Sequence, residues 1–155
     1  MNRLLLLGIV AVLLSASVLG AVELSDPDAL NALGYYLYKE GKFEIARGAF
    51  EHAIYFEPSF EEARSNLAVL LFEMKEYDTA EKQYEFLVAI DENNVQYWYD
   101  LGVVRIADFR YGTNELDDFY EGLAAYERAE ELNPNYEYVQ ENLVVLYRIA
   151  EEFNL

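Results

Sequence analysis

The sequence predicts an all-α protein built from consecutive antiparallel helix pairs. Two observations carry this expectation. From Pro27 onward, apolar, small and turn residues recur at a step of 34 residues, the length of one helix–turn–helix unit. The composition, 54% hydrophobic and 15% aromatic over 155 residues, is rich enough to bury a core despite a net charge of −18. Fourteen tyrosines dominate the aromatic count, and tyrosine suits half-buried surfaces because its ring packs while its hydroxyl stays wet.

The chain opens on an apolar segment, assigned to residues 1–21, with a linker at 22–26. Met1-Asn2-Arg3 is a basic start, and an apolar run from Leu4 to Leu14 follows, broken only by Gly8. Small residues, ending at Gly20 and Ala21, come next. This is the order of an export signal, with cleavage expected near Gly20 or Ala21. A retained anchor is the competing reading, because residues 4–22 would span roughly 28 Å as a helix, close to the apolar thickness of a bilayer. Arg3 precedes the run and Glu23, Asp26 and Asp28 follow it, so both readings place the folded part outside the cytoplasm.

Three repeats follow, at 27–60, 61–94 and 95–136, then a terminal helix at 137–155. Leu33-Gly34 recurs as Leu67-Ala68 and Leu101-Gly102. Ala46 recurs as Ala80, and Phe50 as Tyr84. Beyond Gly102 the step becomes 42, so that Ala80 aligns with Gly122 and Tyr84 with Tyr126; eight residues are inserted in the third repeat. Eight residues are about two helical turns, so one extra turn on each helix absorbs them, with the first ending near Tyr111 and the second starting near Glu115. Thr113 or Asn114 is the expected cap. Asp26-Pro27 marks the first helix start, Gly41-Lys42 the first inner turn, and Ser59/Glu62 and Asp78/Glu81 have capping-box spacing. Within each pair, Ala46, Ala80 and Gly122 permit close approach, and Phe50, Tyr84 and Tyr126, four residues on, fill the gap from the same face. The terminal helix repeats the first-helix pattern, with Asn142-Leu143 echoing Asn66-Leu67, and covers the end of the stack.

This pattern resembles the tetratricopeptide repeat, with its W-x2-L-G-x2-Y, A-x3-F and closing proline. Leu30-x2-Leu33-Gly34-x2-Leu37, Ala46-x3-Phe50 and Pro58 carry the resemblance in the first repeat. The second has Leu67-Ala68 and Ala80-x3-Tyr84, with Glu92 in place of the proline. Trp98-x2-Leu101-Gly102, Gly122-x3-Tyr126 and Pro134 carry it in the third. The resemblance implies a right-handed α-solenoid of seven helices after the N-terminal segment. It also implies that the first helices line a concave face. The residues expected there are Asn31, Ser65 and Tyr99; Tyr35, Val69 and Val103; and Tyr38, Phe72 and Ile106. Some domains of this family grip a chaperone's C-terminal carboxylate through lysines, asparagines and an arginine. The matching places carry Asn31, Tyr35, Asn66, Gln96 and Asp100, of which only Asn66 fits, so that role is not expected.

Several chemistries are disfavoured. The negative charge repels nucleic-acid phosphates, so no nucleic-acid partner is expected. With no cysteine there is no thiol chemistry or disulfide. His52, the single histidine, is expected to face solvent and has no second ligand of its kind for a metal. The acidic stretch 114–121 has no EF-hand order, and adjacent acids on helices are ordinarily solvated. No metal, cofactor or catalytic residue is expected, and the chain is read as not an enzyme. The expected function is an extracytoplasmic scaffold that binds another protein through an apolar, tyrosine-rich groove. Its partner would present an apolar or aromatic segment with basic flanks. The alternative is a structural or assembly subunit of a homo-oligomer or membrane-associated complex, with attachment through residues 4–22.

Overall fold

The computed structural model describes residues 25–113, 115–136 and 138–155, and the export or anchor segment lies outside them. The described residues form seven helices and no strand. These are α1 (Pro27–Lys39), α2 (Phe43–Phe56), α3 (Glu61–Glu73), α4 (Tyr77–Ile90), α5 (Val95–Tyr111), α6 (Leu116–Leu132) and α7 (Val139–Phe153). They fall into two compact units, one ending at Ala63 and one beginning at Arg64.

In the first unit, Asp26 caps α1 by accepting the Asp28 N–H at 3.1 Å, and Pro27 occupies the first turn, where its missing N–H costs nothing. The helix stops at Gly41, which takes a left-handed φ of 71°. There the Gly41 and Lys42 N–H groups return to the Tyr38 and Leu37 carbonyls, both at 2.9 Å. On α2, Ala46, Ala49, Phe50 and Ala53 are buried. The Phe50 ring lies where Gly34 has no Cβ; a methyl there would stand 2.6 Å from it. Close approach therefore rests on Gly34 as much as on the alanines. Leu30, Ala53 and Ala63 form a small core with Ile54 and Phe60.

The second unit reuses these devices. The α3–α4 turn makes the same bonds, Lys75 N–H to Phe72 O and Glu76 N–H to Leu71 O, both at 2.9 Å, with Lys75 left-handed at φ 63°. On α4, Ala80, Tyr84 and Leu87 are buried. The Asn94 side chain caps α5, accepting the Gln96 and Tyr97 N–H groups. The eight inserted residues lengthen α5 and α6 to 17 residues each, against 13 and 14 in the preceding pair. Tyr126 packs on Gly102 as Phe50 packs on Gly34. Phe119, Tyr126 and Ala129 join Val139, Leu143 and Leu146 of α7 in one core.

Two expected caps are not formed. The N-cap of α4 is Glu76, without a side-chain bond, so Asp78 sits inside the first turn and makes no capping box with Glu81. Thr79 donates to the Glu76 carbonyl instead, at 2.9 Å. The N-cap of α6 is Glu115, again without a side-chain bond. Thr113 acts one step earlier, accepting the Glu115 N–H at 3.3 Å and donating to Asp118 at 2.6 Å.

Candidate functional site

The expected groove residues divide by environment. Asn31 is buried, donating to Glu62 at 2.9 Å, and is a structural side chain. Tyr35 and Val69 are 51% and 40% exposed and so are available to a partner. Tyr38 and Phe72 are half-buried. Tyr38 stacks on Phe43 at 5.8 Å, and Phe72 meets Tyr77 edge-on at 5.6 Å. Phe109 and Phe119 form the same pair at 5.4 Å in the third hairpin. These rings close the turn end of each pair, a role legible in the five-residue spacing of 38/43 and 72/77.

On α5, Tyr99, Val103 and Ile106 pack partly buried against the core that α6 and α7 build. Ile106 fills the space above Gly122, where a Cβ would stand 2.8 Å from it. Ser65 lies on α3 and bonds the Tyr84 hydroxyl. Within the second unit, the neighbourhood of α3 and α5 is therefore lined by Ser65, Tyr84 and the side of α5 carrying Gln96 and Asp100.

That side of α5 holds a polar network outside the nine residues expected to line the concave face. Gln96 donates to Asp100 at 2.8 Å and accepts from the Tyr136 hydroxyl. The Tyr84 hydroxyl also bonds Asp100. Burial pushes the Asp100 carboxyl up to about 6, against the smaller lowering by Gln96 and Tyr84. Burial likewise raises the Tyr84 and Tyr126 phenols, with Asp100 adding to both. Tyr99, the neighbour of Asp100 on α5, contacts Tyr126 at 5.6 Å and Tyr136 at 5.5 Å.

Elsewhere the unit is held by charge. Arg105 reaches Glu81 at 2.7 Å, Glu85 at 3.0 Å and Glu121 at 3.2 Å, tying α4, α5 and α6 together. Burial nevertheless holds the Glu81 carboxyl above its ordinary range, outweighing the pull of Arg105. Asp108 is almost fully buried and its carboxyl is raised, first by burial. It accepts the Thr113 N–H at 3.2 Å across Gly112 and so shapes the hairpin tip. Asp108 also lines an open cleft of ≈ 480 Å³ with Lys75, Asp78 and Tyr111. His52 is exposed, as expected.

Paired helices, left-handed inner turns and rings seated on first-helix glycines define a protein with the tetratricopeptide-repeat fold. Residues 27–60 match the tetratricopeptide-repeat family profile, and the seven helices of the described residues are consistent with a stack of such repeats. It is similar to the first tetratricopeptide domain of Spaghetti (RPAP3), solved bound to the HSP90 peptide SRMEEVD. That likeness has 22% identity and a TM-score of 0.70, covering 84% of this chain and 97% of the other. It is also similar to MamA 41-end from Desulfovibrio magneticus RS-1, at 21% identity and a TM-score of 0.70, covering 82% and 67%. The Sgt2 tetratricopeptide domain from Aspergillus fumigatus gives 20% identity and a TM-score of 0.69, covering 87% of each chain. Among curated proteins, the Homo sapiens protein O-mannosyl-transferase TMTC3 is 29% identical over 117 residues, which are 75% of this chain. The match spans only 12% of the length of TMTC3.

Proposed function

We propose that this chain is a non-catalytic scaffold that binds an extended segment of another protein on its first-helix faces. The observation that carries this reading is the incomplete covering of those faces. Tyr35 on α1 and Val69 on α3 are exposed, and Tyr38, Phe72 and Tyr99 keep part of their rings accessible. Exposed apolar side chains grouped on one face of a helix mark interaction surfaces, and tyrosine is favoured at binding hot spots. A neighbour of the same fold holding a peptide supports the reading. The acidic surface favours a segment with basic flanks, whose association slows as salt screens the attraction. We place the domain outside the cytoplasm, cleaved from or anchored by the N-terminal segment. Intact-mass measurement on native protein separates those two modes, and finding the full-length chain soluble in the cytoplasm overturns both.

The test of binding uses Tyr35→Ala with Val69→Ala, two exposed positions that contribute little to packing. Affinity capture by the double variant should lose the partner that the native chain captures, at unchanged helicity. Retained capture places the partner elsewhere. Tyr38→Ala with Phe72→Ala is the weaker choice, because both rings also close their hairpins and their loss lowers stability as well.

One observation favours the assembly reading. Helix α7 buries Val139, Leu143 and Leu146 but leaves Val144, Val145 and Tyr147 exposed by 56%, 49% and 44%. Val145 borders an apolar notch of ≈ 180 Å³ lined by Ile106, Phe109, Phe119 and Leu146. An antiparallel contact between two α7 helices centred on Val144 and Val145 would set each Arg148 against the other copy's Glu141. Sedimentation of the native chain beside Val145→Glu tests this: a dimer lost in the variant supports assembly, and a monomer in both removes it.

A further inference from the structure

We propose that Asp100, held between Tyr84 and Gln96 within the tyrosine cluster of α5, is the anchor for a lysine or arginine side chain of the bound segment. This deepens the scaffold reading and rests on it. The hydrogen bonds around Asp100 converge. The Ser65 hydroxyl bonds Tyr84, the Tyr84 hydroxyl bonds Asp100, the Tyr136 hydroxyl donates to Gln96, and the Gln96 amide donates to Asp100. Two separate chains of donors thus end on one carboxylate and fix its orientation. All these donors are neutral. Partly buried carboxylates ordinarily have a cation, since neutral donors only partly offset lost hydration. Glu81 of the same unit follows that rule with Arg105, and the other such acid, Asp108, is occupied in shaping the hairpin tip, where it accepts the Thr113 N–H. Among the described residues no cation pairs with Asp100, which is neither sealed nor fully exposed. Tyr84 from α4 and Tyr126 from α6 are buried beside it and wall the carboxylate on the inner side, while Tyr99, its neighbour on α5, stays partly accessible to a cation that the carboxylate has drawn in. A flexible lysine or arginine on an extended segment supplies the missing charge; a phosphate or a chain-terminal carboxylate is repelled.

The test selects blocked twelve-residue peptides, acetylated and amidated, from a random library on the full-length chain and on Asp100→Asn. Circular dichroism confirms that both are folded. Native protein should enrich peptides with lysine or arginine at one fixed place among apolar residues. The variant should keep the apolar preference and lose the cation. A cation preference that survives in Asp100→Asn overturns the inference, as does enrichment of apolar peptides without a fixed cation or of acidic ones; in those cases the groove stands. Enrichment of no peptide overturns the groove and the anchor together. A second measurement needs no variant fold. With its carboxyl near pH 6, Asp100 is mostly protonated at pH 5, while the phenols of Tyr84 and Tyr126 that face it stay neutral. A selected lysine peptide should therefore bind about tenfold more weakly at pH 5 than at pH 7.5. Equal affinity at the two values overturns the anchor.

Discussion

Lys75 shows how one residue departs from its repeat without changing the repeat. It stands 34 positions after Gly41, makes the same turn bonds, and takes the same left-handed conformation, with φ 63° against 71°. A side chain in that region crowds the backbone, whereas glycine does not. Lys75→Gly should stabilise the second unit by about 0.5–1 kcal/mol, the relief of strain exceeding the added freedom of the unfolded chain. Denaturant titration of native and variant protein checks this, and a lowered midpoint would show that the lysine side chain contributes more than its backbone costs. Gly41 announced its turn by being glycine. Lys75 could be placed only by carrying the period forward.

At the scale of an element, glycine divides by what faces it. Gly34 on α1 lies under the Phe50 ring, at 2.6 Å from any added Cβ, while Gly48 on α2 has nothing within 4 Å. Gly34→Ala should destabilise by about 1–3 kcal/mol through overpacking. Gly48→Ala should stabilise by about 0.5–1 kcal/mol, because alanine loses less backbone freedom in a helix interior. Thermal melts of the two variants should move in opposite directions; a common sign refutes the packing account of Gly34. The inserted turn of the third pair was legible as a change of step from 34 to 42, because the helical pitch leaves few ways to add eight residues to a hairpin. The α4 and α6 caps were not legible. Asp78 and Thr113 are capping residue types, but each helix begins at a position set by the preceding turn rather than by its best capping residue.

Over the whole molecule, proton binding couples to stability. Glu81, Asp100 and Asp108 all have carboxyls raised first by burial, so the folded chain holds more protons than the unfolded chain across their titration. Stability is then fully present below the ordinary carboxylate range and declines as pH rises through the raised values, Asp100 near 6 among them. Repulsion within a chain of net charge −18 acts in the same direction. Scanning calorimetry should give a higher Tm at pH 5.5 than at 7.5, with added salt at pH 7.5 recovering part of the difference. A Tm that is flat or falls toward pH 5.5 contradicts this. Binding at Asp100 should follow the opposite course, weakening toward acid, so the two curves distinguish folding from recognition.

The sequence by itself determined the helix pairs, their period, the extended third hairpin and the aromatic fillers. Each is a local pattern: small and large residues at helical spacing, repeated at one step, admit only one secondary structure and one packing of neighbours. Tertiary structure alone decided which side of α5 each residue serves. Tyr99, Val103 and Ile106 share a helix with Gln96 and Asp100, but the position of Gly122 draws Ile106 onto α6, while Tyr84 from α4 reaches Asp100. Residues a turn apart acquire different roles only when neighbouring helices approach, and the polarity of a carboxylate with no cation beside it exists only once those neighbours are in place.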